Sequence, residues 1–213
     1  MINEVTSRDV GSQSIENFQE IKPDNKMTSK EADNFWKKEF ANESEKAKED
    51  YASREYFDDN GEKYREGNEL SPNKEFSVNG YDYKTDDKGR IISAEGNLQM
   101  KDHDGRSEMD SRSAVDKGDM LGTDERGHLI ADRFNGSGGI ENLSQMDAKL
   151  NHGDYAKLEG TLAEAVKDGA DVYLKVEPVY EGDSTRPTEN RVDYSIDGEK
   201  TETVFRNESE AAA

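Results

Sequence analysis

The sequence predicts an α+β fold with a mostly antiparallel sheet and a helical N-terminal appendage. Short alternating segments separated by turn residues fill positions 75–94 and 171–205, as in antiparallel hairpins. One stretch beginning near Asp147 instead carries apolar residues at helical spacing, namely Leu150, Leu158, Leu162 and Val166. We therefore expect a flexible leader at 1–26, a helical adaptor region at 27–70, a main domain at 71–207 and a tail at 208–213.

The N-terminal appendage opens with a helix-capping pattern. Thr28 is followed three residues later by Glu31, the spacing of a capping box, and Met27 can pack on Ala32. An apolar stripe continues along one helix face, formed by Ala32, Phe35, Trp36 and Phe40. This stripe either docks on the main domain or contacts another protein as an adaptor.

Alternation and turn residues predict the strands of the main domain. Residues 75–85 alternate around Asn79-Gly80, which indicates a hairpin, and residues 86–89 turn into a strand at 90–94. The polar stretch from Met100 to Met120 is typical of an exposed loop, which we expect to line a substrate groove. Residues 171–180 predict a strand, 181–191 a loop, and 192–205 a closing hairpin, after which a frayed tail begins at Asn207.

Composition limits the chemistry that the chain can perform. No residue is a cysteine and three are histidines, which excludes disulfides, thiol nucleophiles and cysteine zinc sites and argues against a multi-histidine zinc site. A bound metal would be a hard cation held by oxygens and at most one imidazole. No apolar run approaches the ~20 residues of a membrane span. The N-terminus also lacks the basic start and apolar core of a signal peptide.

The charge balance bears on the choice of partner. The formal net charge is −20, and 37% of the 213 residues are charged. Such acidity argues against strong binding to nucleic acid and suits a basic protein partner. A bound cation and a few local arginines can offset it, because screening is strong beyond about 10 Å. We expect modest affinity for DNA.

The densest cluster of chemically useful residues lies between Asp124 and Glu159. His128 ends a short predicted strand, and a glycine-rich turn follows at residues 135–139. Asn151 lies early on the helix that comes next. An imidazole at a strand end, opposite an amide oxygen on a helix, suits holding one divalent cation against one phosphate.

This cluster resembles the DNA/RNA non-specific endonuclease family, a branch of the ββα-metal (His-Me finger) nucleases. The family's Asp-Arg-Gly-His box is similar to residues 125–128, with Glu125 in place of aspartate, and its Leu-Asn-x-Gly…Leu-Glu segment is similar to residues 150–159. Glu141-Asn142-Leu143 falls where the family often carries Asn-Leu or Asn-Ile. The resemblance runs from about residue 79 to 205 and implies a ββα-metal core within the α+β domain.

The resemblance implies a role for each residue of the cluster. His128 would be the general base, and Asn151 the sole direct protein ligand of Mg²⁺, with Mn²⁺ as a substitute. Arg126 would stabilise the pentacovalent phosphate, and Asn142 would support the site. Glu159 follows Asn151 by eight residues, about 12 Å along one straight helix, so it is assigned an outer-shell contact through water.

Each residue also has a plainer explanation. His128 could be a hydrogen-bonded structural histidine, Asn151 a helix cap, Arg126 part of a surface ion pair and Glu159 a solvated charge. His152 follows the proposed ligand but points about 100° away around the helix, which predicts an incidental role. The glycines at positions 136, 138 and 139 are assigned to turning the loop.

The expected function, by resemblance, is metal-dependent endonucleolytic cleavage of DNA with little sequence preference and 5′-phosphate products; RNA is left open as a second substrate. The segment 32–36 is similar to stretches that precede toxin cargo in bacterial polymorphic toxins. The resemblance therefore implies a bacterial toxin, secreted or delivered into a target cell, and a cognate immunity protein. One rival is a non-catalytic acidic protein that mimics DNA. Another keeps the fold for a different phosphodiester.

Overall fold

The computed structural model describes residues 45, 49–102 and 118–208. Within them the chain forms eleven strands: β1 (Glu55–Phe57), β2 (Lys63–Glu66), β3 (Glu69–Leu70), β4 (Glu75–Val78), β5 (Tyr81–Thr85), β6 (Ile91–Asn97), β7 (Asp124–His128), β8 (Leu143–Asp147), β9 (Val172–Tyr180), β10 (Pro187–Ile196) and β11 (Glu199–Arg206). The helices that follow β8 are α1 (Ala148–Leu150) and α2 (Ala156–Lys167), joined by an irregular helical segment, Asn151–Tyr155. Single 3₁₀ turns lie at Asp132–Phe134 and Ile140–Asn142.

The chain divides into two compact units, Met1–Tyr51 and Ala52–Ala213. The predicted leader, the apolar stripe of the adaptor, the polar stretch 103–117 and the tail from residue 209 lie outside the described residues. The helical prediction for 27–70 is wrong for residues 55–70, where β1, β2 and β3 form a three-stranded antiparallel sheet. Both Tyr64 and Arg65 are buried there, so this segment belongs to the second unit.

A six-stranded antiparallel sheet forms the centre of the second unit, in the order β11-β10-β9-β6-β5-β4. The hairpin predicted around Asn79-Gly80 is confirmed, with Val78 opposite Tyr81. Asn79 and Gly80 have φ angles of 56° and 79°, the left-handed conformation that a two-residue hairpin turn requires. The strand predicted at 90–94 is also confirmed, as β6, which pairs with β9 on its far side.

The C-terminal strands follow the prediction except at one boundary. β9 and the closing hairpin β10–β11 are where the sequence predicted them, and Asp197-Gly198 forms their turn. The predicted loop 181–191 is too long, because β10 begins at Pro187. Proline is tolerated at the first residue of a strand, where its missing N–H removes no essential ladder bond.

A third antiparallel sheet, of two strands, contains the residues of the motif. β7 pairs with β8, and α1 follows β8 directly, which confirms the expected ββα order. All five residues of β8 are buried, so it has no polar–apolar alternation to mark it in the sequence. Asp147 caps α1 through a hydrogen bond from Lys149 N at 3.0 Å, at the point where the sequence predicted the helix to begin.

The hydrophobic core lies between α2, the β7–β8 ribbon and one face of the large sheet. Its fully buried side chains include Ile130 from the connection after β7, Met146 from β8, Leu162 from α2 and Val176 from β9. Leu150, Leu158 and Val166 of the predicted helical stripe pack against it partly buried. In the described part of the chain, no helix has both the length and the hydropathy needed to cross a bilayer.

Two polar clamps attach the ribbon to the C-terminal strands. Arg186 donates to both carboxylate oxygens of Asp124 at 2.7 and 2.8 Å, and the Asp124 side chain is fully buried. Asn207 accepts from Asp147 N at 2.8 Å and donates to Gln145 O and Pro187 O at 2.8 and 2.9 Å. The expectation of a frayed tail is therefore wrong at Asn207, which is 2% exposed.

Candidate active site

His128 is the last residue of β7, as the sequence predicted. It pairs with Leu143 at the start of β8 and is half-buried. The next two residues, Leu129 and Ile130, are fully buried and leave the strand directly into the core. A histidine at this point is anchored from behind while its ring remains within reach of solvent.

Arg126 lies two residues before His128 on the same strand and is also half-buried. Side chains two residues apart in a strand project from the same face, so Arg126 and His128 share one face of β7. The intervening Gly127 is buried, and a Cβ there would lie 2.9 Å from the Cβ of Met146. The strand therefore presents a cation and an imidazole side by side.

Asn151, the predicted metal ligand, lies where α1 meets the irregular helical segment. This is the early helix position that the sequence predicted. Its amide nitrogen donates to Glu125 Oε2 at 3.3 Å, so a residue of β7 fixes the orientation of the carboxamide. Because the nitrogen faces this carboxylate, the carboxamide oxygen is the atom that can bind a cation. By strand alternation Glu125 projects from the opposite face of β7 to Arg126 and His128.

His152 shares the same carboxylate. Its Nε2 atom lies 2.6 Å from Glu125 Oε2, although its side chain is 70% exposed. The Glu125 side chain therefore reaches both of two consecutive helix residues, and the incidental role of His152 stays a prediction. Sequence reasoning missed this contact because it followed helix geometry alone and did not consider the neighbouring strand.

Glu159 lies on α2, half-buried, near the turn that follows Ile130. Burial raises the pKa of its carboxyl to about 7, against the opposing effect of the Arg133 guanidinium. The helix is not straight between Asn151 and Glu159, because Gly153 has non-helical angles of φ −100° and ψ −108°. The assumption of one straight helix from Asn151 to Glu159, on which the predicted separation of about 12 Å depended, is therefore wrong. The exposed Arg133 was not singled out by the sequence.

Asn142 is completely buried and serves the backbone. Its side-chain oxygen accepts from Ile130 N at 2.9 Å, and its nitrogen donates to Ile130 O and Ser137 O, each at 2.8 Å. Its own carbonyl accepts from Leu129 N at 2.9 Å. These bonds hold the two residues that follow His128, and the supporting role of Asn142 in the reaction stays a prediction.

In the glycine-rich loop, residues 135–139, the glycines serve a different purpose from the predicted one of turning the chain. Asn135, with φ 64°, makes the left-handed turn, while Gly136 and Gly139 are required by close packing. A Cβ on Gly136 would lie 1.9 Å from Ile130 O, and one on Gly139 would lie 2.3 Å from a carboxylate oxygen of Glu141. The loop is folded tightly against the backbone behind His128.

The donor set fits a hard, hydrated cation. Within residues 45, 49–102 and 118–208, no group of three or more His, Cys, Asp or Glu side chains could hold a metal ion. Zinc in structural sites takes four protein ligands, whereas Mg²⁺ keeps several waters and needs few protein oxygens. The carboxamide of Asn151, oriented by Glu125, matches the second case.

Comparison with known proteins places the site within a family match. The model of the DNA/RNA non-specific endonuclease family matches residues 72–198. The Type VII secretion system protein EssD of Staphylococcus aureus, in strains USA300 and NCTC 8325, is 37% identical over 139 residues, or 62% of this chain and 22% of its own length. The chain thus spans about a fifth of these curated relatives.

Three solved structures are similar in part. An extracellular endonuclease has a TM-score of 0.42 and 20% identity, covering 57% of this chain and 74% of its own. An extracellular nuclease has a TM-score of 0.40 and 20% identity, covering 61% and 86%. The Sda1 nuclease with bound zinc ion has a TM-score of 0.39 and 22% identity, covering 41% and 40%. All the candidate site residues lie inside the family match at 72–198.

Proposed function

The chain belongs to the DNA/RNA non-specific endonuclease family and is an endonuclease, and on this premise we propose that it cleaves DNA in a Mg²⁺-dependent reaction centred on His128 and Asn151. The observation that carries the proposal is the contact of the Asn151 amide nitrogen with Glu125, which leaves the carboxamide oxygen as the atom that can bind a cation. RNA is a second substrate of the same site. Family membership favours this function over a non-catalytic DNA mimic.

His128 is the proposed general base. A neutral imidazole can take the proton of the attacking water. Its place at the end of β7 lets the ring reach solvent, while the buried Leu129 and Ile130 hold its backbone. A metal ion, when bound at Asn151, would supply charge neutralisation at the phosphate and at the departing oxygen.

Arg126 and Glu159 complete the proposed machinery. Arg126 shares a strand face with His128, and its planar guanidinium can donate to two phosphate oxygens. Glu159, with its raised pKa, is proposed to act through a water in the outer shell of the cation. The irregular segment around Gly153 sets the direction in which α2 brings Glu159 toward the site.

The proposal requires the His128 ring and the Asn151 oxygen to meet at one ion beyond the edge or end of β7. Glu125, which holds Asn151, projects from the face of β7 opposite to that of His128, so the two groups must approach the ion from different sides of the strand. Plasmid cleavage with Mg²⁺ tests the activity: we expect cleavage that is lost in EDTA and in His128→Ala.

Mn²⁺ tests the geometry, because its unpaired electrons broaden nearby nuclear resonances. The His128 ring signals should broaden in the wild type and stay sharp in Asn151→Ala. Sharp His128 signals in the Mn²⁺-loaded wild type would refute the shared ion.

The biological setting is part of the proposal. The relatives named EssD are Type VII secretion system proteins, and this chain matches 22% of their length. We infer that this nuclease is a secreted bacterial toxin delivered into a target cell and neutralised by an immunity protein. Growth arrest on intracellular expression, absent for His128→Ala, tests the toxin role. Normal growth with an active enzyme in the cell would contradict it.

A further inference from the structure

Arg65 of β2 is one of the most deeply buried charged side chains in the described part of the protein, with 1% of its surface exposed. Its Nε atom donates to Gly67 O at 2.6 Å, and its guanidinium lies 4.0 Å from the ring centroid of Tyr56. A buried charge destabilises a fold unless it is paired. These contacts fix the plane of the guanidinium, and its charged partner comes from a distant part of the chain.

That partner is Glu141, in the 3₁₀ turn just before β8. Arg65 Nη1 lies 3.5 Å from Glu141 Oε2, and the Glu141 side chain is 2% exposed. The other carboxylate oxygen accepts from the hydroxyl of Ser137. Burial, and after it the charge of Glu141, raises the pKa of both Tyr64 and Tyr83, so these phenols face the carboxylate in neutral form. Arg65 therefore balances the charge of a carboxylate that closes the glycine-rich loop.

The loop transmits this contact to the residues behind His128. Ser137 O accepts from the side-chain nitrogen of Asn142. The same side chain donates to Ile130 O and accepts from Ile130 N. Leu129 N, the first amide after His128, donates to Asn142 O at 2.9 Å. Each link from Arg65 to Leu129 is a contact between buried or half-buried groups.

We propose that Arg65 is a positioning residue for His128, acting through Glu141, Ser137 and Asn142. It does not touch the reacting atoms; it holds the carboxylate that fixes the loop, and the loop fixes the backbone from which the imidazole projects. Without Arg65, Glu141 is an uncompensated buried carboxylate that must move toward water or take up a proton. Either change displaces the loop. The catalytic part of this inference rests on the proposed role of His128.

Arg90 provides a matched control in the turn between β5 and β6. It pairs with Asp86 at 2.6 Å, lies 4.6 Å from the ring centroid of Tyr180 and donates to Gly182 O at 2.9 Å. In the described part of the protein, both arginines pair with a carboxylate, lie over a tyrosine ring and donate to a glycine carbonyl. The further contact of Arg90, with Ser184 O at 2.8 Å, leads to residues 182–186 and not to the backbone of residues 129 and 130. Arg90→Met measures what the loss of such an ion pair does to the protein in general.

The experiment compares Arg65→Met, Arg90→Met and the double variant Arg65→Met/Glu141→Gln in the full chain. Steady-state cleavage of a short DNA duplex with Mg²⁺, well below each melting temperature, gives kcat and KM, and hydrogen exchange reports on amides 128–142. Arg65→Met should lower kcat about 10- to 100-fold, as small misplacements of a catalytic group do, with little change in KM. Protection of amides 128–142 should fall. Arg90→Met should leave both unchanged, and the double variant should regain kcat.

Equal kcat and equal protection in Arg65→Met and Arg90→Met would overturn the proposal. So would a rise in KM at unchanged kcat, which would instead indicate a role in binding DNA. If the wild-type protein cleaves no DNA, the proposed function fails; exchange at 128–142 then still decides whether Arg65 holds the loop. The two failures are therefore separable.

Discussion

The amide nitrogen of Asn151 lies 3.3 Å from Oε2 of Glu125, so the orientation of the proposed metal ligand is set by a strand and not by its own helix. Side chains that orient a metal ligand commonly change metal affinity about 10- to 100-fold when removed. We expect Glu125→Ala to raise the Mg²⁺ concentration for half-maximal cleavage by that factor. Glu125→Gln keeps an acceptor oxygen for Asn151 and should lie between Ala and wild type.

A titration of cleavage rate against Mg²⁺ measures this effect. Glu177→Ala is the control, since Glu177 pairs with Lys175 at 2.8 Å on the large sheet. An unchanged Mg²⁺ requirement in Glu125→Ala would show that the carboxylate does not orient Asn151.

Gly136 should not tolerate a side chain. Its Cβ would lie 1.9 Å from Ile130 O, a backbone atom that cannot move aside without breaking the Asn142 bonds. We expect Gly136→Ala to lower the free energy of unfolding by about 3 kcal/mol or more. Gly160→Ala is the matched control, because Gly160 lies inside α2 with no atom within 4 Å of an added Cβ. It should stabilise the protein by about 0.5–1 kcal/mol, measured by urea unfolding.

Glu159→Gln should stabilise the protein while lowering its activity. The folded pKa of about 7 exceeds the ordinary 4.5, so the wild type loses stability as pH rises through this interval. At pH 8 the variant should be more stable than the wild type by roughly 1–3 kcal/mol, and this gain should vanish near pH 4. Cleavage at neutral pH should fall about 10-fold or more.

Glu164→Gln separates this effect from a general one. Glu164 is exposed on the same helix and should change neither unfolding nor cleavage. If Glu159→Gln behaves in the same way, Glu159 is only a solvated helix charge.

Asp119 should make the protein acid-sensitive. Burial alone would raise its pKa, but hydrogen bonds from Thr185, Ser184 and Gln145 outweigh burial and hold the pKa well below its usual 3.8. The stability that Asp119 contributes is therefore present above about pH 4 and is lost as pH falls further. Asp119→Asn should lower the free energy of unfolding by about 1–3 kcal/mol at pH 7.

The difference in the free energy of unfolding between Asp119→Asn and the wild type should become smaller as unfolding is measured at pH values closer to 2. Asp183→Asn, a nearly fully exposed side chain beside the same loop, should change unfolding little at either pH. A gap that stays constant with pH would mean that the carboxylate charge is not what holds residues 184–186.

The sequence was most informative where local chemistry decides structure. Asn79-Gly80 and Asp197-Gly198 adopt the left-handed angles that their hairpin turns need, and a helix begins after Asp147 as predicted. His128 ends its strand as predicted. In each of these cases, neighbouring residues alone determine the outcome.

The features that the sequence did not predict depend instead on contacts between distant segments. Strand β8 is buried on both faces, and β2 contains Arg65, whose burial depends on Glu141 more than seventy positions away. Asn207 follows the last strand and looks like the start of a tail, yet two strands use its side chain. These outcomes depend on contacts between distant segments, which periodicity and turn residues do not report.

The position of Asn207 sets an order of events during synthesis. Its side chain bonds to Asp147 N and Gln145 O of β8, beside the strand that bears His128. A ribosome that has not yet released residue 207 therefore holds a protein whose ribbon lacks one of its two polar clamps, and we expect such a nascent chain to cleave DNA more slowly than the released protein. Stalled nascent chains of increasing length, assayed for DNA cleavage, should reach full activity only once this asparagine has emerged.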